Sequence, residues 1–171
     1  MALNIDEPVQ LSAHDPTWQG EAALEISRLE RRLGSPVPKV EHIGSTAVTG
    51  LMAKPVIDLL MGIPSLPPAE TLRLAIRHAG YEELGEAGVP GRLYFRKRDS
   101  LAMNLHVVEY QGTHWKNGIA LRELLRADAQ ARREYEIAKI AAINAGATSL
   151  IAYSAAKAPV LSKLISQATA T

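Results

Sequence analysis

Cysteine is absent from the 171 residues. That excludes disulfides, thiolate zinc sites and cysteine nucleophiles. An excess of one charge is missing too: the formal net charge is +1, which gives no bulk drive toward nucleic acid or an anionic membrane. No apolar run approaches the roughly 18 uninterrupted residues of a membrane span. The N-terminus carries Asp6, Glu7 and Pro8 with no apolar run, which does not fit a secretory leader. Internal repeats, low-complexity segments and linkers are lacking as well. These absences lead to the expectation of a cytoplasmic protein built as one domain over residues 1–171. Apolar residues make up 47% of the chain, enough to fill the core of a domain of this size.

What is present is organised around residues 40–60, VEHIGSTAVTGLMAKPVIDLL. The stretch predicts a strand ending at Ile43, a Gly-Ser turn, a short helix and a second strand. Gly44 opens backbone conformations closed to other residues, and Ser45 or Thr46 can cap the helix that follows. The N–H groups left over in such a turn suit a phosphate or another anion. Pro55 pushes Lys54 toward an extended conformation. Val56 to Met61 is apolar apart from Asp58, as in a buried strand. A carboxylate in that setting is costly unless paired or metal-bound. The residues thus allow two readings: a structural strand-turn-helix-strand unit, or a site where the turn cradles a phosphate and Asp58 holds a divalent cation.

The longer wording narrows the choice. Glu41-His42-Ile43-Gly44-Ser45-Thr46-Ala47-Val48, Gly50-Leu51 and Ala53-Lys54-Pro55-Val56-Ile57-Asp58 resemble the signature of the GrpB family, a branch of the nucleotidyltransferase fold typified by DNA polymerase beta. Asp15-Pro16-x-Trp18, Gly91-Arg92-x-Tyr94-Phe95, Leu105-His106-Val107, Trp115, Leu121-Arg122-x-x-Leu125-Arg126, Tyr135-x-x-x-Lys139 and Tyr153-x-x-x-Lys157 follow in the family's order. The resemblance implies an α/β or α+β fold, a mixed sheet flanked by helices. It implies Gly44, Ser45, Thr46 and Lys54 as phosphate- or nucleotide-binding residues, and Asp58 as a ligand of Mg²⁺ or Mn²⁺.

The sequence departs from the superfamily pattern at one telling place. A second carboxylate is expected two residues after the first, on the same strand face, and Leu60 stands there. Holding two metals roughly 4 Å apart takes several carboxylate oxygens. Either another acid such as Glu41 or Glu109 substitutes, or one metal binds weakly, or phosphoryl chemistry is lost. Thr49 replaces the family's usual Pro, which alters loop stiffness.

Elsewhere the chain predicts an arm over residues 1–14 with a short strand at Val9–Ser12. A helix runs from Asp15-Pro16 to Gly34, with Ala22, Ile26, Leu29 and Leu33 inward and Trp18 packed as a staple. The three prolines of residues 62–68 make a loop. A helix at 69–79, capped by Gly80, buries Leu72, Ala75, Ile76 and Ala79. A strand at 81–84 precedes a Gly-rich segment, residues 85–91, that is a candidate lid. Antiparallel strands are expected at 93–97 and 103–109. Tyr94 and Arg96 then share one face, as do Asn104 and His106 on the partner strand, so Asp58, Arg96 and His106 can meet at one cleft. Helices follow at 117–126, at 127–145 with Ala131, Tyr135, Ala138 and Ala142 on one stripe, and from Ser154 to Ala168 with Pro159 early in it. Arg132-Arg133-Glu134 reads as a solvated face, and residues 169–171 as a frayed tail.

Candidate acid/base groups are Asp58, His106, Glu109 and His42. Arg92, Arg96, Arg122, Arg126, Lys139 and Lys157 are candidates for holding an anionic substrate. Arg122 and Arg126 lie one turn apart; the structural alternative pairs them with Glu123, as it makes His106 an interior histidine. The expected function is a nucleotidyltransferase-type enzyme moving a nucleotidyl or phosphoryl group from a nucleoside triphosphate to a small-molecule acceptor, with Mg²⁺ or Mn²⁺. Neither nucleic acid nor membrane is expected as a partner. Leu60 keeps two alternatives open: metal-independent chemistry on a small anionic metabolite, and a non-catalytic nucleotide- or metabolite-binding protein.

Overall fold

A computed structural model describes residues 5–34 and 38–170. The expectations for residues 1–4 and for position 171 lie outside them. Asp15 starts the first helix, α1 (Thr17–Leu33), by accepting from the Thr17 amide at 2.8 Å and its hydroxyl at 2.7 Å. This is side-chain capping of otherwise unpaired N–H groups. Gly34, at φ 69°, ends it. Then come β1 (Lys39–Ile43), β2 (Ile57–Ile63), α2 (Glu70–His78), a two-residue β3 (Glu82–Glu83), β4 (Leu93–Lys97) and β5 (Met103–Glu109). The chain continues with α3 (Thr113–Ala127), α4 (Ala129–Asn144) and α5 (Leu150–Thr169).

The strands form one mixed sheet in the order β1-β2-β5-β4-β3, parallel only between β2 and β5. Alternation along the strands gives the sheet two faces. Ile57, Leu59, Met61, Met103, Leu105, Val107 and Phe95 face one way, under Trp18, Ala22 and Leu29 of α1 and Ile76 of α2. Asp58, Leu60, Asn104, His106, Tyr94 and Arg96 face the other. There α3 covers one end with Trp115 and Ile119 on Leu60 and Val108. Leu125, Tyr135 and Leu164, one from each of the last three helices, close a second core over Val48 and Leu51.

Several boundaries differ from expectation. α3 begins at Thr113, before Asn117, and buries Trp115. α5 begins at Leu150, because Ser149 caps it by accepting from the Ala152 amide. Pro159 therefore lies mid-helix, and Thr169 is helical. Arg132 is not simply solvated: it donates to the Leu125 and Arg126 carbonyls at the end of α3, as cations do at helix C-termini. Buried Glu25 on α1 accepts from the Tyr81 hydroxyl at 2.9 Å; the helical stripe gave no sign of it. The arm is fastened at both ends of the fold. Ser12 bridges Ala53 and Pro8 bridges Ser149, while the Leu150 amide donates to the Glu7 carbonyl. No helix among the described residues is long and apolar enough to cross a membrane.

Candidate functional site

β1 ends at Ile43, and Gly44 turns the chain at φ 73°. A Cβ there would sit 2.9 Å from Asp58 Oδ2, so only glycine lets the turn close over the carboxylate. Ser45–Ala47 then make a single 3₁₀ turn. The expected capping by Ser45 or Thr46 does not occur, because both hydroxyls are engaged elsewhere. Ser45 Oγ accepts from Lys139 Nζ at 3.2 Å, and Thr46 Oγ1 lies 2.8 Å from His42 Nε2. The Ser45 and Thr46 amides donate to no group among the described residues, which leaves two N–H groups for an anion.

Asp58 is paired, as its setting in an apolar strand demands. Its Oδ1 accepts from Asn104 Nδ2 at 2.7 Å and faces His106 Nε2 at 3.3 Å. Asn104 is oriented by its other end, where Oδ1 accepts from Tyr94 Oη at 2.7 Å and Arg98 Nη2 at 2.9 Å. Arg98 is in turn clamped by both Glu7 oxygens. His106 Nδ1 lies 3.3 Å from Arg92 Nη1. A guanidinium only donates, so Nδ1 accepts and the proton resides on Nε2, toward Asp58. Burial alone would raise the Asp58 pKa. The His106 bond, the nearby Lys54 charge and the Asn104 amide outweigh it and hold the carboxyl below the usual range. Burial also lowers His106, against the pull of Asp58. Burial takes His42 down to about 4, with Asp58 opposing and Arg126 and Arg122 assisting.

The structure does not bring every candidate together. Glu109 ends β5, five positions past Asn104 and on the opposite face; at about 3.3 Å per residue it cannot reach Asp58. Leu60 shares the Asp58 face, as expected, but is 3% exposed among Val108, Trp115 and Ile43. Glu41, opposite Leu60, is bound by Arg122 at 2.9 Å. Arg122 also donates to the His42 carbonyl and to Glu123. Arg126 donates to the Ala47 carbonyl and to Glu123, so this pair staples the turn from behind. Arg96 is on the expected face but pairs with Glu82 at 2.8 Å. The 85–91 segment is tied down: Arg92 holds the Glu86 and Ala87 carbonyls, and His114 lies 2.8 Å from the Pro90 carbonyl.

Between the turn and the C-terminal helices lies a cavity of about 50 Å³. Gly44, Ser45, Thr46, Lys54, Asp58, Tyr135, Tyr153 and Lys157 are among its lining. It is far below the ~300 Å³ of sites for drug-sized ligands, and admits one small group. Lys157 Nζ stands 4.7 Å from the Tyr153 ring centre and 3.5 Å from the Tyr135 hydroxyl. No carboxylate among the described residues pairs with it, so its charge is available. Lys139 is 1% exposed beneath Ser45. The two Tyr-x-x-x-Lys repeats thus converge on the Gly-Ser turn from α4 and α5.

The donor set does not fit a dedicated divalent cation. Asp58 is a lone carboxylate whose Oδ1 already has two partners. No cluster of three or more His, Asp or Glu side chains able to hold a metal occurs among the described residues, and Mg²⁺ and Mn²⁺ need several oxygen ligands.

A family model described as GrpB protein matches residues 8–167. The chain is 36% identical over 145 residues to the glutamate-rich protein GrpB of Alkalihalophilus pseudofirmus, covering 81% of this chain and 83% of that one. Its fold is similar to the crystal structure of conserved protein GrpB from Enterococcus faecalis, with TM-score 0.79 and 28% identity, covering 92% of this chain and 98% of the other. Likeness to terminal uridylyl transferase 4 from Trypanosoma brucei with bound CTP is weaker: TM-score 0.46, 15% identity, 75% of this chain and 40% of that one. That distance bears no chemical argument.

Proposed function

The chain belongs to the GrpB family, and from the geometry of its site we propose that it binds a small anionic metabolite, through a phosphate or carboxylate group, in the cavity over the Gly44–Thr46 turn. One observation carries this: the Ser45 and Thr46 amides, with no acceptor among the described residues, and the Lys157 ammonium, with no carboxylate among them, belong to residues that line a cavity sized for one such group. Lys54 adds a second cation, shared with Asp58. Asp58, fixed by Asn104 and His106, braces the turn from below and needs no metal to be stable there.

A second reading takes the resemblance of the Gly-Ser turn and strand aspartate to the nucleotidyltransferase pattern as chemistry. A nucleoside triphosphate would place its terminal phosphate on the turn and lysines, bring Mg²⁺ or Mn²⁺ with it, and donate a nucleotidyl or phosphoryl group to a small acceptor. The Gly-Ser turn closing on a strand aspartate favours it; the apolar packing of Leu60 weighs against it.

Calorimetric titration separates the two. Phosphate, pyrophosphate and ATP are titrated with and without Mg²⁺. The proposal expects metal-independent anion binding, weakened about tenfold in Lys157→Met, the loss of one charge-assisted contact. Absence of binding by any of the three overturns it. Turnover of ATP that strictly requires Mg²⁺ and vanishes in Asp58→Asn establishes the second reading instead.

A further inference from the structure

The groups around the cavity differ sharply in what protons they can move. Asp58 is held ionised and is a poor base. His106 has both nitrogens engaged, by Asp58 and Arg92, and His42 is tied to Thr46. Lys139 is different. It is 1% exposed, with Nζ against the Ser45 hydroxyl and the Met52 carbonyl and 4.7 Å from the Tyr135 ring centre. No carboxylate among the described residues forms an ion pair with it. Glu136, the nearest acid to influence it, is engaged with the Met52 amide at 3.1 Å. An ammonium buried without a counter-ion is costly, so Lys139 gives up its proton far more readily than a solvated lysine. In the neutral amine one N–H keeps the Met52 carbonyl and the lone pair can turn to the Ser45 hydroxyl 3.2 Å away, the reverse of the Nζ-to-Oγ bond of the resting structure.

We infer that Ser45 and Lys139 form a nucleophile–base pair that performs acyl transfer from a short ester carrying a negative charge. Ser45 lines the cavity, and Lys139 Nζ, which is not part of the lining, stands 3.2 Å from its Oγ. The Ser45 and Thr46 amides lie at the nucleophile itself, where an oxyanion would form. Serine–lysine pairs are an established variant of the activated serine. Ser45 Oγ attacks the acyl carbon, and its proton passes to Lys139 Nζ. The carbon–oxygen bond of the ester breaks, and the leaving oxygen takes that proton. Water then hydrolyses the acyl-serine by the same proton route. Lys157 and Lys54 hold the negative charge, and the cavity limits the acyl group to a few atoms. Burial, with the Lys157 charge assisting and Glu136 opposing, brings Lys139 down to about 7, where a general base works best. Tyr135 on its own helix, and Tyr153 with Lys157 on α5, are the other titratable groups on that side.

The inference rests on the anion-site reading of the same cavity, and its test separates the two. The full chain is incubated with 4-acetoxybenzoate, an acetate ester that carries a carboxylate, and the adduct is mapped by mass spectrometry. The expected result is one acetyl group on Ser45, absent in Ser45→Ala, forming with a rate that rises to a plateau above about pH 7. Lys139→Met slows it about a hundredfold, the size of a general-base contribution. Lys139→Arg keeps a donor to Ser45 but has no basic lone pair, so it also fails to support acetylation while melting as a folded protein. Acetylation unchanged in Ser45→Ala, or a full rate in Lys139→Arg, overturns the pair. If phosphate binds by calorimetry and Ser45 is never acetylated, the anion site stands and the pair falls. If phosphate does not bind, the anion-site reading falls first.

Discussion

At the scale of single residues, the site depends on contacts too close to tolerate extra atoms. Gly44 combines a left-handed φ of 73° with a Cβ position 2.9 Å from Asp58 Oδ2. Gly44→Ala is expected to cost about 2 kcal/mol, from backbone strain plus displacement of the carboxylate. Urea denaturation measures it. In an Asp58→Ala background the clash with the carboxylate is gone and only a 3.2 Å approach to the residue-58 Cβ remains, so the cost shrinks and the two substitutions couple in a double-mutant cycle. Gly44 and Asp58 were legible in the sequence, because glycine before a Ser-Thr pair and one acid in an apolar run are local signals. Asn104 was not legible as the group that orients Asp58. Its face followed from alternation, but its role depends on β5 lying beside β2 in parallel register, which no local pattern encodes.

At the scale of elements, the question of the second carboxylate is one of packing. Leu60 meets Val108, Trp115, Ile43 and Ile119, and Gly118 of α3 comes so close that an added Cβ would stand 3.1 Å from Leu60 Cδ2. β2 and α3 therefore fit each other through a leucine. Leu60→Asp is expected to destabilise by roughly 3–5 kcal/mol, since it buries a charge without a partner. Magnesium should not recover that loss in a urea titration; recovery would reinstate a metal site. Helix and strand periodicity placed every major element, and failed mainly at ends. α3 and α5 start earlier than expected because Trp115 packs under the sheet's far end and Ser149 is pinned by the arm. Lys139 and Lys157 were legible only as candidates for holding an anion. The burial of Lys139, and its place behind Ser45, are set by how α4 crosses the turn.

At the scale of the whole molecule, buried bases give stability a slope with pH. His42 has a folded pKa of about 4 against an ordinary 6.5, so between those values the unfolded chain takes a proton that the folded one refuses. Stability is therefore lost as pH falls from 6.5 toward 4, and His106 acts in the same direction. Lys139, at about 7 against 10.5, extends the same trend upward: stability falls as pH drops from 10.5 to 7. Asp58 contributes only below the ordinary carboxylate range. Tyr94, pushed up to about 12, costs stability as pH rises above 10. The urea midpoint should thus rise from pH 5 through 8, and His42→Gln should remove roughly 2 kcal/mol of the rise below 6.5.

The arm gives this molecule a clasp. Residues 7–9 hold the start of α5 through the Ser149 bridge and the Thr148 and Leu150 backbone bonds, and Glu7 grips Arg98 on the sheet side. The cavity lies between the two parts so joined, and its outer wall is α4 and α5. A guest larger than one small group would need that wall displaced, and displacing α5 means parting the backbone bonds of residues 7–9 as well. Cutting the arm back past Glu7 should therefore loosen the cavity from a distance, read as faster amide exchange at the start of α5.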